Sequence, residues 1–162
     1  MVPLVSICLP CLNAQPFLAP RMESILAQTL KDWELIVCDS FSDDGSWEYF
    51  QKFKGDSRIR LFQVPREGIY AGWNECLRRA QGEYVYIATA DDTMMPDCLE
   101  RLVRPLEKHN TLKVSVCDFE EIDQIDHGKV QYLQTDKPVK EGYIIRRLNN
   151  GEIKSTRVLN TD

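Results

Sequence analysis

Two adjacent carboxylates, Asp91 and Asp92, follow a short apolar run at residues 84–88. Like charges side by side raise each other's pKa, and a bound divalent cation relieves the repulsion. Mg2+ and Mn2+ take oxygen ligands and are commonly shared between carboxylates and substrate phosphates. The plain alternative is a solvated acidic loop, or a helix cap ahead of Pro96. A third carboxylate, Asp39, ends another apolar run at residues 33–38. There it can accept a hydrogen bond from a base or a ribose, or else cap the turn that follows. Neither G-x-G-x-x-G nor G-x-x-x-x-G-K occurs, so the usual backbone cradle for a pyrophosphate is missing. A carboxylate-held metal is the other common way to neutralise a diphosphate, which adds weight to Asp91 and Asp92.

These groups act together only if the chain carries them to one place. Residues 5–9 form a mostly apolar run that reads as a buried strand. Leu18, Met22, Ile25, Leu26 and Leu30 then recur at helical spacing. Residues 33–38 read as a second strand. The turn Ser42-Asp43-Asp44-Gly45-Ser46 offers N-cap residues to a helix around residues 47–53. Residues 59–64 read as a third strand. Gly68 opens a loop before a helix with Trp73, Cys76, Leu77 and Ala80 on one face, for which Gly82 is the expected cap. Residues 84–88 give the fourth strand. Pro96 is expected to start a helix bearing Leu99, Leu102, Val103 and Leu106, with Pro105 distorting its end. Residues 113–119 read as a fifth strand, and residues 122–133 as a hairpin turning at Asp126-His127-Gly128. After Pro138 the pattern weakens, with a turn signal at Asn149-Asn150-Gly151 and no clear closing element.

Strand and helix alternate four times in the first 110 residues. That predicts an α/β domain with a mostly parallel sheet, right-handed crossovers and helices on both faces. Ligands bind such sheets beyond the carboxyl ends of the strands, where Pro10 to Asn13, Asp39 and Ala90-Asp91-Asp92 would gather.

Composition narrows the partners. A net charge of −5, with no Lys/Arg cluster beyond pairs such as Arg78-Arg79 and Arg146-Arg147, argues against nucleic acid. No apolar run approaches the ~20 residues that span a bilayer, and the start of the chain shows no signal-peptide pattern. The expected location is cytoplasmic, with peripheral membrane association left open. Of six cysteines, Cys8 and Cys11 have the spacing of half a metal site, but no second pair completes it, and His109 and His127 stand alone. The cysteines are expected to be buried thiols without a zinc or redox role.

Several segments together carry a resemblance. The run from Val5 through Pro10-Cys11-Leu12-Asn13-Ala14 is similar to the opening strand and "P-T-Y-N" turn of family 2 glycosyltransferases. Glu23-Ser24-Ile25-Leu26-Ala27-Gln28-Thr29 followed by Glu34-Leu35-Ile36-Val37-Cys38-Asp39 resembles "S-I-L-x-Q-T…E-L-I-V-V-D". Ser42-Asp43-Asp44-Gly45-Ser46 resembles "S-T-D-G-S", and Glu67-Gly68-Ile69-Tyr70-Ala71-Gly72-Trp73-Asn74 resembles "G-I-Y-D-A-M-N". Ala80-Gln81-Gly82-Glu83-Tyr84 leads into the DXD region, and Asp118-Phe119-Glu120-Glu121-Ile122-Asp123 continues the likeness, which spans about residues 4 to 125. The order of the segments makes it specific; any one alone is weak.

The resemblance implies a GT-A type, Rossmann-like fold forming one nucleotide-sugar-binding domain over residues 1–162, incomplete at its C-terminal end. It implies transfer of a hexosyl or N-acetylhexosaminyl group from a nucleoside-diphosphate-sugar, commonly a UDP-sugar, with inversion, as in polysaccharide biosynthesis. The acceptor would be a saccharide or lipid-linked saccharide. By position, Pro10, Cys11, Asn13 and Asp39 would line the base pocket, with Asp39 on the base. Asp91 matches the second Asp of DXD, and Asp91 and Asp92 would hold Mn2+ or Mg2+ against the diphosphate. The chain departs from the family at three positions: Thr89 stands at the first DXD position, and Ser40 and Phe41 where Asp and Gly are common. The catalytic base has no match; Glu141, Glu152 and Asp162 lack the surrounding pattern. A non-catalytic nucleotide-binding or interaction module of the same fold is the alternative, and neither the sugar nor the oligomeric state is encoded in a motif.

Overall fold

The computed structural model describes the backbone of residues 2–119, 122–126, 129–132 and 139–146, and the side chains of residues 2–117. Its centre is a pair of strands, β1 (Val5–Cys11) and β2 (Trp33–Asp39), in which all seven residues of each are buried. Apolar residues stand in both parities, as burial on two faces requires, with Ser6, Glu34 and Asp39 as the buried polar exceptions. β2 pairs in parallel with β3 (Ile59–Gln63), and β1 with β4 (Tyr84–Ile87). The sheet order is β3-β2-β1-β4-β8-β5, where β5 is Val114–Phe119 and β8 is Val139–Arg146. Four parallel strands thus form the first half of the sheet, with helices on both faces, as the alternation predicts.

The strand parity sorts the core. Val5, Ile7, Leu9, Trp33, Leu35, Val37, Tyr84 and Tyr86 lie in one buried cluster. They meet α1 (Gln15–Leu26) through Leu18, Met22 and Ile25, α2 (Ser46–Gln51) through Phe50, and α4 (Cys98–Lys108) through Leu99, Leu102, Val103 and Leu106. Cys8, Ile36, Cys38 and Val85 point the other way and meet Cys76 of α3 (Ile69–Arg79). Cys8 and Cys11, three apart on a strand, therefore face opposite sides and cannot ligate one ion. Cys8, Cys11, Cys38 and Cys76 are buried, Cys98 and Cys117 partly so, and none of the six forms a disulfide.

Helix boundaries depart from the sequence expectation in places. α1 ends at Leu26 and not near Leu30, and α4 begins at Cys98, after Pro96 and Asp97. Gly68 does not merely open a loop: at φ 91° it is the N-cap of α3. Gly82 is not the cap of α3, because the helix closes at Ala80 in an extended conformation. Its role is close approach: a Cβ on Gly82 would lie 2.6 Å from the Ser6 backbone nitrogen. Its N–H donates to Ser6 Oγ at 2.8 Å. Ser6 Oγ in turn donates to Glu34 Oε1 at 2.7 Å, and Arg60 pairs with Glu34 Oε2 at 2.8 Å. This polar cluster locks β1, β2, β3 and the start of β4 together at the amino ends of the strands, opposite their carboxyl ends.

The segment after Pro138 is a strand after all. β8 runs antiparallel to both β4 and β5 and separates them in the sheet. Its mixed sequence, Val139-Lys140-Glu141-Gly142-Tyr143-Ile144-Ile145-Arg146, gave no clean period, because the pairing that makes it a strand is with residues far away in sequence. The expected hairpin is present as β6 (Ile122–Asp126) paired antiparallel with β7 (Lys129–Tyr132). Its turn at His127-Gly128, the turn signal at Asn149-Asn150-Gly151, and the acids Glu120, Glu121, Glu152 and Asp162 lie outside the described residues. Glu141 lies on β8, where the backbone alone is described.

Candidate functional site

The carboxyl ends of β1, β2 and β4 lie side by side, since β1 is bonded to both neighbours and Cys11 sits opposite Asp39. Ala88, just past β4, still donates its N–H to the Cys8 carbonyl at 2.9 Å. Cys11 to Asn13, Asp39 and the acid loop at residues 89–92 therefore emerge on one edge. β2 and β4 flank β1, so the ends carrying Asp39 and the acid loop are two strand spacings apart, about 10 Å. Pro10 is also there but faces α3: a Cβ on Gly72 would lie 2.8 Å from Pro10 Cβ, so glycine lets the helix settle onto that turn.

The loop after β2 is stitched to the turn after β1. The Asp39 side chain is fully buried, and its carboxylate accepts the Ser42 N–H at 2.9 Å and the Ser42 hydroxyl at 2.5 Å. Asn13, with a left-handed φ of 52°, exchanges two hydrogen bonds with Asp43: Nδ2 donates to Oδ1 at 2.9 Å, and Oδ1 accepts the Asp43 N–H at 3.0 Å. Asp44 accepts the Gln15 N–H and the Ser46 N–H, each at 2.9 Å, and so satisfies the first N–H of both α1 and α2, whose N-caps are Ala14 and Gly45. Burial works to raise its pKa, but the hydrogen bonds from Ser46 and Gln15 outweigh it and hold the carboxyl below its ordinary value. The Cys11 thiol is pushed up to about 11, first by burial and then by the Asp39 charge, so it stays protonated.

Phe41 has φ 53°, a left-handed backbone in a residue with a Cβ. That region crowds the Cβ against the next carbonyl and costs about 1–2 kcal/mol. It explains why glycine suits this position in the pattern the chain otherwise resembles. Arg66 braces the strained segment, donating from Nε to the Ser40 carbonyl at 2.9 Å and from Nη2 to the Phe41 carbonyl.

The acid loop is fastened at both ends. At its entrance the Trp73 indole N–H of α3 donates to the Ala88 carbonyl at 3.0 Å. At its exit the fully buried Gln28 amide donates to the Met95 carbonyl at 2.8 Å and accepts the Leu99 N–H at 3.0 Å. Between these anchors Asp91 and Asp92 are exposed, and the Thr89 hydroxyl donates to Asp92. The residue at the first DXD position thus steadies the second acid of the pair. Among the described residues no group of three or more His, Cys, Asp and Glu is placed to hold a metal ion. Two carboxylates with open positions are the donor set Mg2+ and Mn2+ take when they share a phosphate, so the residues suit a shared cation and not an all-protein cage.

Sequence reasoning missed the fasteners. Gln28 lay inside a quoted motif and Trp73 on a helix face, but a buried amide or indole reveals its partner only in three dimensions. Trp73→Phe keeps most of the apolar contact and strands the Ala88 carbonyl. We expect a stability loss of about 1 kcal/mol, read by thermal melting. An unchanged melting temperature would show that this indole does not anchor the loop.

Comparison with known proteins gives a consistent picture. The model of the family described as "Glycosyl transferase family 2" matches residues 6–155. The chain is 33% identical over 108 residues to the Escherichia coli UDP-Glc:alpha-D-GlcNAc-diphosphoundecaprenol beta-1,3-glucosyltransferase WfgD, covering 66% of this chain and 42% of that protein. It is 33% identical over 112 residues to the hyaluronan synthase of Pasteurella multocida, covering 68% of this chain and 12% of the relative. It therefore spans less than half the length of these curated relatives. Among solved structures, the mannosyltransferase PcManGT from Pyrobaculum calidifontis, in complex with GDP-Man and Mn2+, aligns with a TM-score of 0.64 at 27% identity, over 70% of this chain and 35% of that one. S. aureus TarS 1-349 in complex with UDP-GlcNAc aligns with a TM-score of 0.63 at 21% identity, over 68% and 32%. The fold is that of the GT-A glycosyltransferases.

Proposed function

Since the chain belongs to glycosyl transferase family 2, we propose that its carboxyl edge binds a nucleoside-diphosphate-sugar, a UDP-sugar foremost, for transfer to an acceptor hydroxyl. The observation that carries this reading is the common edge shared by Cys11 to Asn13, Asp39 and the Asp91-Asp92 loop. The roughly 10 Å between the ends of β2 and β4 suits a base at one end and a diphosphate at the other. Asp39, buried and already turned toward Ser42, offers its remaining lone pairs to an N–H on the edge of uracil. Cys11 and Asn13 stand at the same turn, with Asn13 fixed by Asp43, and Pro10 supports that turn from the α3 side. Asp91 and Asp92 would hold Mn2+ or Mg2+, which when bound supplies positive charge opposite the diphosphate.

The reaction in this reading inverts the anomeric centre. An acceptor hydroxyl, on a saccharide or lipid-linked saccharide, attacks in line while a base takes its proton. None of the residues gathered at the edge is assigned as that base. Names of relatives such as WfgD and hyaluronan synthase support a role in polysaccharide assembly with a hexosyl or N-acetylhexosaminyl donor. A cytoplasmic site of action, with peripheral attachment to a membrane, fits such acceptors. Among the described residues no helix is long and apolar enough to cross a membrane.

Calorimetric titration of the chain with UDP, with and without Mn2+, tests the proposal. Saturable binding that requires the metal is the expected result. Binding that ignores Mn2+ would remove the role given to Asp91 and Asp92. No binding under either condition would remove the donor site.

A further inference from the structure

Phe41 runs against the fold twice. Its backbone is left-handed, at φ 53°, and the residue is 52% exposed and belongs to neither buried cluster. Glycine would relieve the first burden, and a polar side chain the second. The surrounding contacts hold the left-handed conformation in place. The Ser40 N–H donates to the Cys11 carbonyl at 2.8 Å, Ser42 is held by Asp39, and Arg66 grips the Ser40 and Phe41 carbonyls. Strain that is fixed by its neighbours and not relaxed concentrates at ligand clamps.

The position says which ligand. Phe41 stands two residues beyond Asp39 and beside the turn at Cys11 to Asn13. A nucleobase presents an edge of donors and acceptors and two flat faces that hydrogen bonds cannot satisfy. Asp39 can serve the edge; an exposed aromatic ring can serve a face. Such stacking tolerates any base, because every base has a π-face. From this juxtaposition we infer that Phe41 is the stacking platform for the donor's nucleobase, strained and exposed so that the ring is ready at the edge. Phe41 then sets how tightly the nucleoside is held, while the Asp39 carboxylate discriminates among base edges. The inference rests on the donor-binding reading given above.

Four forms of the chain separate the possibilities: the parent, Phe41→Gly, Phe41→Leu and Phe41→Tyr. Each is titrated with UDP and with inorganic pyrophosphate in the presence of Mn2+, and melted thermally. We expect Phe41→Gly to bind UDP about 10-fold more weakly, with a Tm no lower than the parent's because the strain is gone. Phe41→Leu keeps the strained backbone and loses the ring, so it should lose the same affinity without a gain in Tm. Phe41→Tyr should bind as the parent does, and pyrophosphate should bind all four alike. UDP binding as tight in Phe41→Gly and Phe41→Leu as in the parent overturns the inference while leaving the donor site intact. Equal losses for UDP and pyrophosphate also overturn it, because the ring would then be shaping the loop and not meeting the base. A parent chain that binds pyrophosphate with Mn2+ but gains nothing from the nucleoside overturns it too. A parent that binds neither overturns the donor reading itself, and this inference with it.

Discussion

If the proposed donor site holds, Asp91→Asn is expected to bind UDP in the presence of Mn2+ about 100-fold more weakly than the parent chain, a loss of ~2.7 kcal/mol. The substitution keeps the size of the side chain and removes its charge. An amide oxygen is a far poorer partner for a hard divalent cation than a carboxylate, and the diphosphate then loses the positive charge that offsets its own. The fold should hardly notice. Asp91 is exposed and forms no hydrogen bond or ion pair with the described residues, and surface changes of that kind usually stay within about 0.5 kcal/mol. Asp92→Asn should act in the same direction and also weaken the bond from Thr89, so the double variant tests the pair as a unit. Calorimetry with Mn2+ reads the affinity, and a melting curve confirms that the chain is folded. A double variant that still binds UDP with full metal dependence would mean that the cation sits elsewhere.

Gly82→Ala lowers the stability of the domain by about 3 kcal/mol, a fall in Tm of roughly 6–12 °C. The added Cβ would meet the Ser6 nitrogen at 2.6 Å, the Val5 carbonyl carbon at 2.9 Å and Ser6 Oγ at 2.9 Å. Two of those neighbours are backbone atoms of the central strand, which cannot swing aside as a side chain can. Relief requires the entry to β4 to shift away from β1. That shift opens the bond from the Gly82 N–H to Ser6 Oγ, and the bond from the Gln81 N–H to Glu34 Oε1 at 2.7 Å. Glu34 is 4% exposed, so a carboxylate that loses a donor there pays a desolvation cost near the pair it forms with Arg60. Thermal and urea melts read the effect. A variant melting within about 2 °C of the parent would show that the two strands have more slack than their packing implies.

Both predictions concern residues whose importance could be approached from the sequence, but to different depths. Asp91 and Asp92 were visible because adjacent acids after an apolar run are chemically unusual. Gly82 was visible as punctuation and was assigned the wrong task. A glycine past a helix reads as a cap, and only the approach of β1, some 75 residues earlier in the chain, shows that the missing Cβ is what matters. β8 shows the same gap from the other side. Its residues have no clean period, and it becomes a strand through pairing with β4 and β5. Asp39 stood open between a ligand contact and a turn cap. The cap is there in its bonds to Ser42, and the ligand contact belongs to the proposed donor site.

By itself the sequence determined the alternation of strands and helices, the two-sided burial of β1 and β2, and the edge at which the carboxylates collect. These follow from local periodicity and from the parallel sheet that strand–helix alternation builds, so every strand of the first half ends on the same side. Tertiary structure alone decided which cysteines share a face, which glycine marks a close contact, and what anchors the acid loop through Trp73 and Gln28. It also decided that Phe41 holds a backbone better suited to glycine. Those properties depend on distances between segments remote in the chain, and a spacing rule that compares a residue only with its near neighbours carries no information about them.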